Sequence, residues 1–143
     1  MKPLTEPGRF RIRQAALEDL PELARLKARI WREAYDFDES VFERQDELAG
    51  EAARAWEAEA RRGGYFWAVV DTATEQFVGI AHACPSRDQD APEPLELAMI
   101  YLLETAQGSG IADRLLQMAI GDAPAYTWVL EGSDRAISFY RRH

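Results

Sequence analysis

Leu95–Ala112, Leu-Glu-Leu-Ala-Met-Ile-Tyr-Leu-Leu-Glu-Thr-Ala-Gln-Gly-Ser-Gly-Ile-Ala, decides the fold. Its first eight residues are almost unbrokenly apolar, as in a strand buried on both faces. Gln107-Gly108-Ser109-Gly110 then supplies a turn, and Ile111, Leu115, Leu116, Ala119 and Ile120 recur at helical spacing. Strand, glycine turn and helix follow in order. The first N–H groups of a helix lack intrahelical partners, and with the helix dipole they favour an anion. Glycines ahead of them permit positive φ and close approach of a phosphate. The same glycines also suit an ordinary strand-to-helix turn, and short glycine motifs alone do not separate the two readings. A P-loop is excluded, because no Gly-x-x-x-x-Gly-Lys-Ser/Thr run occurs, and no Gly-x-Gly-x-x-Gly fingerprint is present.

Outward from this centre, Phe10–Arg13 alternates apolar and basic residues like a half-buried strand. Leu17, Leu20, Leu23, Ala24, Leu26, Ile30 and Trp31 predict a first helix within Ala16–Tyr35. Residues 36–49 read as an acidic, mixed connection. Ala52, Ala53, Trp56 and Ala60 begin a second helix that stops at Arg61-Arg62-Gly63-Gly64. Tyr65–Asp71 and Gln76–Cys84 form a predicted hairpin, and Pro85–Pro94 a loop. Tyr126–Leu130 reads as a strand, with a helix from Ser133, a plausible N-cap. Strands with helices between them predict one α/β (α+β) domain over residues 1–143, with a loose tail at 1–8 and a mixed sheet flanked by helices.

The chain has 17 basic and 25 acidic residues, a net charge of −8 that argues against nucleic-acid binding and weakly favours a cationic or amine partner. No apolar run approaches the roughly 18–20 residues of a membrane helix, and the first eight residues have no secretory signal character. One cysteine, Cys84, and two histidines predict no disulfide, no metal and a cytoplasmic setting.

Gln107-Gly108-Ser109-Gly110-Ile111-Ala112 resembles the Gln/Arg-x-x-Gly-x-Gly/Ala signature of the GCN5-related N-acetyltransferase (GNAT) superfamily. Phe10–Arg13 and Ala16–Tyr35 resemble its first strand and helix. Tyr126–Glu131 and Ser133–Arg142 resemble its fifth strand and last helix, ending in Ala136-Ile137-Ser138-Phe139-Tyr140. The resemblance covers most of the chain and implies a mostly antiparallel central sheet. It implies an acetyl-CoA-dependent N-acetyltransferase, with acetyl transfer to a primary amine of a small molecule or protein. Backbone groups of Ile100, Tyr101 and Leu102 would pair with the pantetheine arm. Gln107, Gly108, Ser109, Gly110, Ile111 and Ala112 would hold the pyrophosphate. Arg114 could meet a phosphate, whereas Asp113 would repel one unless turned away.

Tyr140 matches the tyrosine that protonates the departing thiolate. Glu96, eleven residues before Gln107, is the general-base candidate. It is either edge-exposed or partly buried, and burial disfavours a carboxylate's charged form, as a base working near neutrality requires. His82 is the rival base, with a structural role as its alternative. Cys84 could instead be acetylated as a nucleophile, although direct transfer is the family's usual course. Tyr35, Asp36, Asp38 and Glu39 could meet a cationic acceptor or simply form a solvated loop. Ser133 stands where many members carry an asparagine that contacts pantetheine, so weaker coenzyme A binding is expected.

The family's closing strands, which normally follow the last helix, are missing before His143. Either the chain is a truncated form or something else, such as the second chain of a homodimer, covers the Tyr126–Leu130 edge. A non-catalytic acyl-CoA-binding or interaction domain on the same scaffold is the alternative function.

Overall fold

The structure, a computed structural model, describes residues 8–35, 37–85 and 92–121, together with 123, 125 and 127. Four strands, β1 (Phe10–Gln14), β2 (Tyr65–Asp71), β3 (Gln76–Pro85) and β4 (Leu95–Leu102), form an antiparallel sheet in chain order. Two helices, α1 (Leu20–Ala34) and α2 (Glu39–Arg61), lie between β1 and β2, and α3 (Ile111–Ile120) follows β4. α1 and α2 pack on each other over one face of the sheet; α3 packs against β2, β3 and β4. No helix among the described residues is long and apolar enough to cross a membrane.

α1 buries Leu20, Leu23, Ala24, Leu26 and Ile30, the apolar stripe that its sequence predicts. It begins later than expected, because Leu17–Asp19 form a 3-10 turn. Asp19 fixes that turn by accepting hydrogen bonds from the Ala16 N–H and the Arg13 guanidinium, both at 2.8 Å. The same bonds, Arg13's foremost, hold the Asp19 carboxyl below its ordinary pKa.

The segment expected as an acidic connection is mostly helix: α2 starts at Glu39, thirteen residues before the predicted start at Ala52. Only Phe42, Ala49 and Ala53 along α2 are buried, too sparse a stripe to show in the sequence. The helix is fixed by other means. Asp38 caps it by accepting from the Ser40 N–H. Arg32 on α1 pairs with both Glu39 (2.6 Å) and Asp46 (2.8 Å), two turns apart on α2.

The sheet carries two irregularities. Between Val69 and Val70 the β2–β3 register shifts, and between His82 and Ala83 the β3–β4 register shifts. At the second, His82 faces Met99 but Ala83 faces Leu97, which leaves Ala98 as an extra residue in β4. Glu96 consequently pairs with Cys84 and comes to the face shared by His82, Phe66 and the helix pair.

Gly79 is packed tightly between β2 and β4. A Cβ there would collide with Leu102 Cδ2 and stand 3.0 Å from Val69 Cγ2. Gly79→Ala is expected to destabilise the protein by about 1–3 kcal/mol through overpacking. Gly50→Ala is the opposite case: its Cβ meets nothing nearer than Arg54 at 3.7 Å, on the exposed side of α2. It should stabilise by about 0.5–1 kcal/mol through helix propensity. Urea unfolding of the two variants against wild type measures both.

Candidate active site

β4 runs into the glycine turn as the sequence predicts, through a 3-10 turn at Glu104–Ala106. The Glu104 N–H donates to Glu33 Oε1 at 2.8 Å, which ties α1 to the end of β4. Gly108 (φ +77°) and Gly110 (φ +92°) both occupy the left-handed region that only glycine enters at little cost. No described atom lies within 4 Å of a Cβ built on Gly108, which is exposed.

The side chains of the turn are committed elsewhere. Gln107 Nε2 donates to the Leu102 carbonyl at 2.9 Å. Ser109 Oγ donates to the Ala106 carbonyl at 2.6 Å and accepts from the Ile111 N–H at 3.3 Å. Ser109 therefore acts as a brace of the turn, and Ile111 is a core residue. The backbone N–H groups of Gln107 and Ile111 are likewise engaged, with the Glu104 carbonyl at 3.1 Å and Ser109 Oγ. Asp113 is buried in the first turn of α3, away from bulk solvent, and Arg114 is half-buried.

On the helix-pair face, Glu96 is 3% exposed, so of the two predicted placements the buried one holds. Ile100 and Leu102 project to the opposite face from Tyr101. Tyr101 meets Trp31 edge-on at 6.2 Å. Burial, and then the neighbouring Tyr35, raise the Tyr101 hydroxyl above its ordinary pKa. The Trp31 indole N–H is near enough to lower it slightly but forms no well-shaped hydrogen bond. Trp31 also lies 4.8 Å from Tyr35, which stacks on Phe37 at 5.1 Å. An aromatic wall thus lines the α1–α2 junction beside β4.

Of the acidic residues expected to meet a cation, Glu39 is paired with Arg32 and Asp38 caps α2. Asp36 lies outside the described residues, as do Ser133 and Tyr140. Thr127, from the predicted fifth strand, is described, and its hydroxyl donates to the Leu97 carbonyl at 2.8 Å. Sequence reasoning missed the aromatic wall, because Trp31, Tyr35 and Phe37 read as parts of a helix and a loop. It also missed Glu59, which faces His82 from the end of α2.

Residues 23–143 match the model of the Acetyltransferase (GNAT) family. The chain is 24% identical over 142 residues to the "Probable N-acetyltransferase Rv2775" of Mycobacterium tuberculosis, covering 96% of this chain and 80% of that protein. Its fold is similar to that of the PaiA N-acetyltransferase of Thermoplasma acidophilum, solved in complex with coenzyme A. The TM-score there is 0.72 at 20% identity, covering 93% of this chain and 87% of that one. It is also similar to a GCN5-related N-acetyltransferase of Ralstonia eutropha JMP134, with a TM-score of 0.68 at 15% identity, covering 93% and 90%. The chain belongs to the GNAT acetyltransferase family.

Lys27 gives a pH test of the wall's surroundings. It lies over Trp31 at 5.7 Å and Trp56 at 6.0 Å, and burial lowers its pKa below 10.5. The charged form is thus disfavoured in the folded state, and the unfolded state binds the proton more tightly. Lys27→Met, similar in volume, is expected to be more stable than wild type at pH 7. That advantage should shrink as pH rises toward 10.5, measured by urea unfolding across the range.

Proposed function

We propose that this protein transfers an acetyl group from acetyl-CoA directly to a primary amine of a small molecule or protein. The observation that carries the reading is one continuous segment. A bulged strand sets the buried carboxylate Glu96 on the helix-pair face, and the same strand leads into two left-handed glycines at the N-terminus of α3. Membership of the GNAT family supports the acetyl donor.

Acetyl-CoA supplies an activated thioester, so the protein's part is to position and to move protons. In this proposal the backbone of Gln107–Ala112 holds the pyrophosphate, with Arg114 and Ser133 as further contacts. Backbone groups of Ile100, Tyr101 and Leu102 align the pantetheine arm along β4. Glu96 takes a proton from the acceptor ammonium, directly or through one water. The free amine then attacks the carbonyl carbon, a C–N bond forms and the C–S bond breaks. Tyr140 gives its proton to the leaving thiolate and is reprotonated by the proton that the new amide nitrogen sheds, while Glu96 releases its proton to solvent. Trp31, Tyr35 and Tyr101 line the approach of the acceptor, where aromatic faces suit a cation.

Thermal unfolding with acetyl-CoA comes first. At about a hundred times its Kd the ligand should add roughly 2.7 kcal/mol, on the order of ten degrees in Tm for a domain of this size. Turnover is then followed by thiol release across an amine panel. Glu96→Gln is expected to lower kcat/KM by about 10²–10⁴-fold with the acetyl-CoA shift retained, and to remove the acidic limb of the pH profile. Tyr140→Phe should lower kcat with binding intact. Acetyl-CoA binding without turnover on any amine, in wild type as in the variants, would replace the enzyme reading with an acyl-CoA-binding module.

A further inference from the structure

We propose that Glu59, His82 and Cys84 form a binding site for one zinc-class divalent cation, between the end of α2 and β3. Their ligand atoms, a carboxylate oxygen, an imidazole nitrogen and the thiol sulfur, lie within 4.8 Å of one another. His82 and Cys84 are 3% and 2% exposed, and the Glu59 side chain 26%. Adjacent ligands of a tetrahedral zinc ion, with bonds of about 2.0–2.3 Å, sit roughly 3.3–3.8 Å apart. The cluster therefore needs to contract by about 1 Å. Glu59, the most exposed of the three and on a long side chain in the last turn of α2, is the ligand with most room to adjust, and its Oε1 is already 3.9 Å from His82 Nε2.

The surroundings orient each ligand. His82 Nδ1–H donates to the Tyr65 carbonyl at 2.8 Å, so in the neutral ring Nε2 carries the lone pair. That nitrogen faces Glu59 Oε1 at 3.9 Å. Glu59 Oε2 accepts from Arg62 at 2.6 Å, which leaves Oε1 as the oxygen directed at the imidazole. The His82 ring is also clamped flat on Phe66, centroids 3.9 Å apart and planes at 4°. A Cβ on Gly64 would stand 3.1 Å from His82 Cε1, so the end of α2 is seated directly on the ring. A backbone carbonyl on the second imidazole nitrogen is the usual outer shell of a metal-bound histidine. One sulfur, one nitrogen and one oxygen suit zinc, or cobalt in its place, better than magnesium or calcium. Among the described residues three ligands converge, and a tetrahedral ion takes one more, from water or the protein. Bound there, the ion ties α2 to the sheet on the face that carries Glu96, whose cross-strand partner is Cys84.

The full chain, stripped of metal with a chelator, is titrated with Co2+ and then with Zn2+. One equivalent of Co2+ should bind with a thiolate-to-cobalt charge-transfer absorption, and Zn2+ should displace it and raise the Tm. Cys84→Ser should lose the charge-transfer band. Glu59→Gln, at a half-exposed helix position, should keep the metal-free unfolding midpoint yet bind both ions at least about tenfold more weakly, since even outer-shell partners are worth about 10–100-fold. Failure to bind one equivalent overturns the proposal, as does a cobalt spectrum without the thiolate band. Unchanged affinity in Glu59→Gln also overturns it, and decides the matter if Cys84→Ser does not fold. In those cases Glu59 and His82 form an acid–imidazole contact and no metal site.

Discussion

One extra residue in β4 governs the arrangement of this molecule. Side chains alternate strictly along a strand, so a single inserted residue reverses the assignment of everything beyond it. With Ala98 bulged, Met99 and Tyr101 face the helix pair on one side of the irregularity and Glu96 does so on the other. A regular strand that placed Tyr101 against Trp31 would send Glu96 to the α3 face. The bulge thus allows a buried carboxylate and an aromatic wall to share one surface. The strand that carries both then delivers the backbone to the glycine turn.

The turn works through backbone conformation more than through its side chains. Ser109 spends its hydroxyl on Ala106 and Ile111, and Gln107 its amide on Leu102. These bonds hold the two left-handed glycines in place ahead of α3. The helix-pair face is braced in a comparable way. Arg32 clamps two turns of α2, Glu33 reaches the end of β4, and Trp31, just before them in the chain, contributes to the wall.

The helix α2 shows how tertiary context extends an element beyond its local signal. Residues 39–51 contain good helix formers but few buried positions; packing of Ala49 on Ala24 of α1, the Asp38 cap and the Arg32 pairs together hold them helical. The acidic residues that looked available to a cationic partner are thereby largely occupied. What faces the α1–α2 junction instead is aromatic, the cluster of Trp31, Tyr35, Phe37 and Tyr101.

The strand, glycine turn and helix of Leu95–Ile120 were legible in the sequence, because their apolar run, glycine pair and helical period are local and unambiguous. The β2–β3 hairpin and the buried stripe of α1 were legible for the same reason. The family signature at Gln107–Ala112 pointed to the GNAT fold, since such a turn depends on residues next to one another in the chain. The bulge at Ala98 carries no mark in composition, because one strand's register is defined only against its neighbour. Counting one cysteine and two histidines suggested no metal site. The sheet and α2 nevertheless bring Glu59 to His82 and Cys84 across more than twenty positions. Local periodicity fixes which residues belong to an element, whereas pairing between elements fixes which side chains meet, and only the tertiary structure decides that.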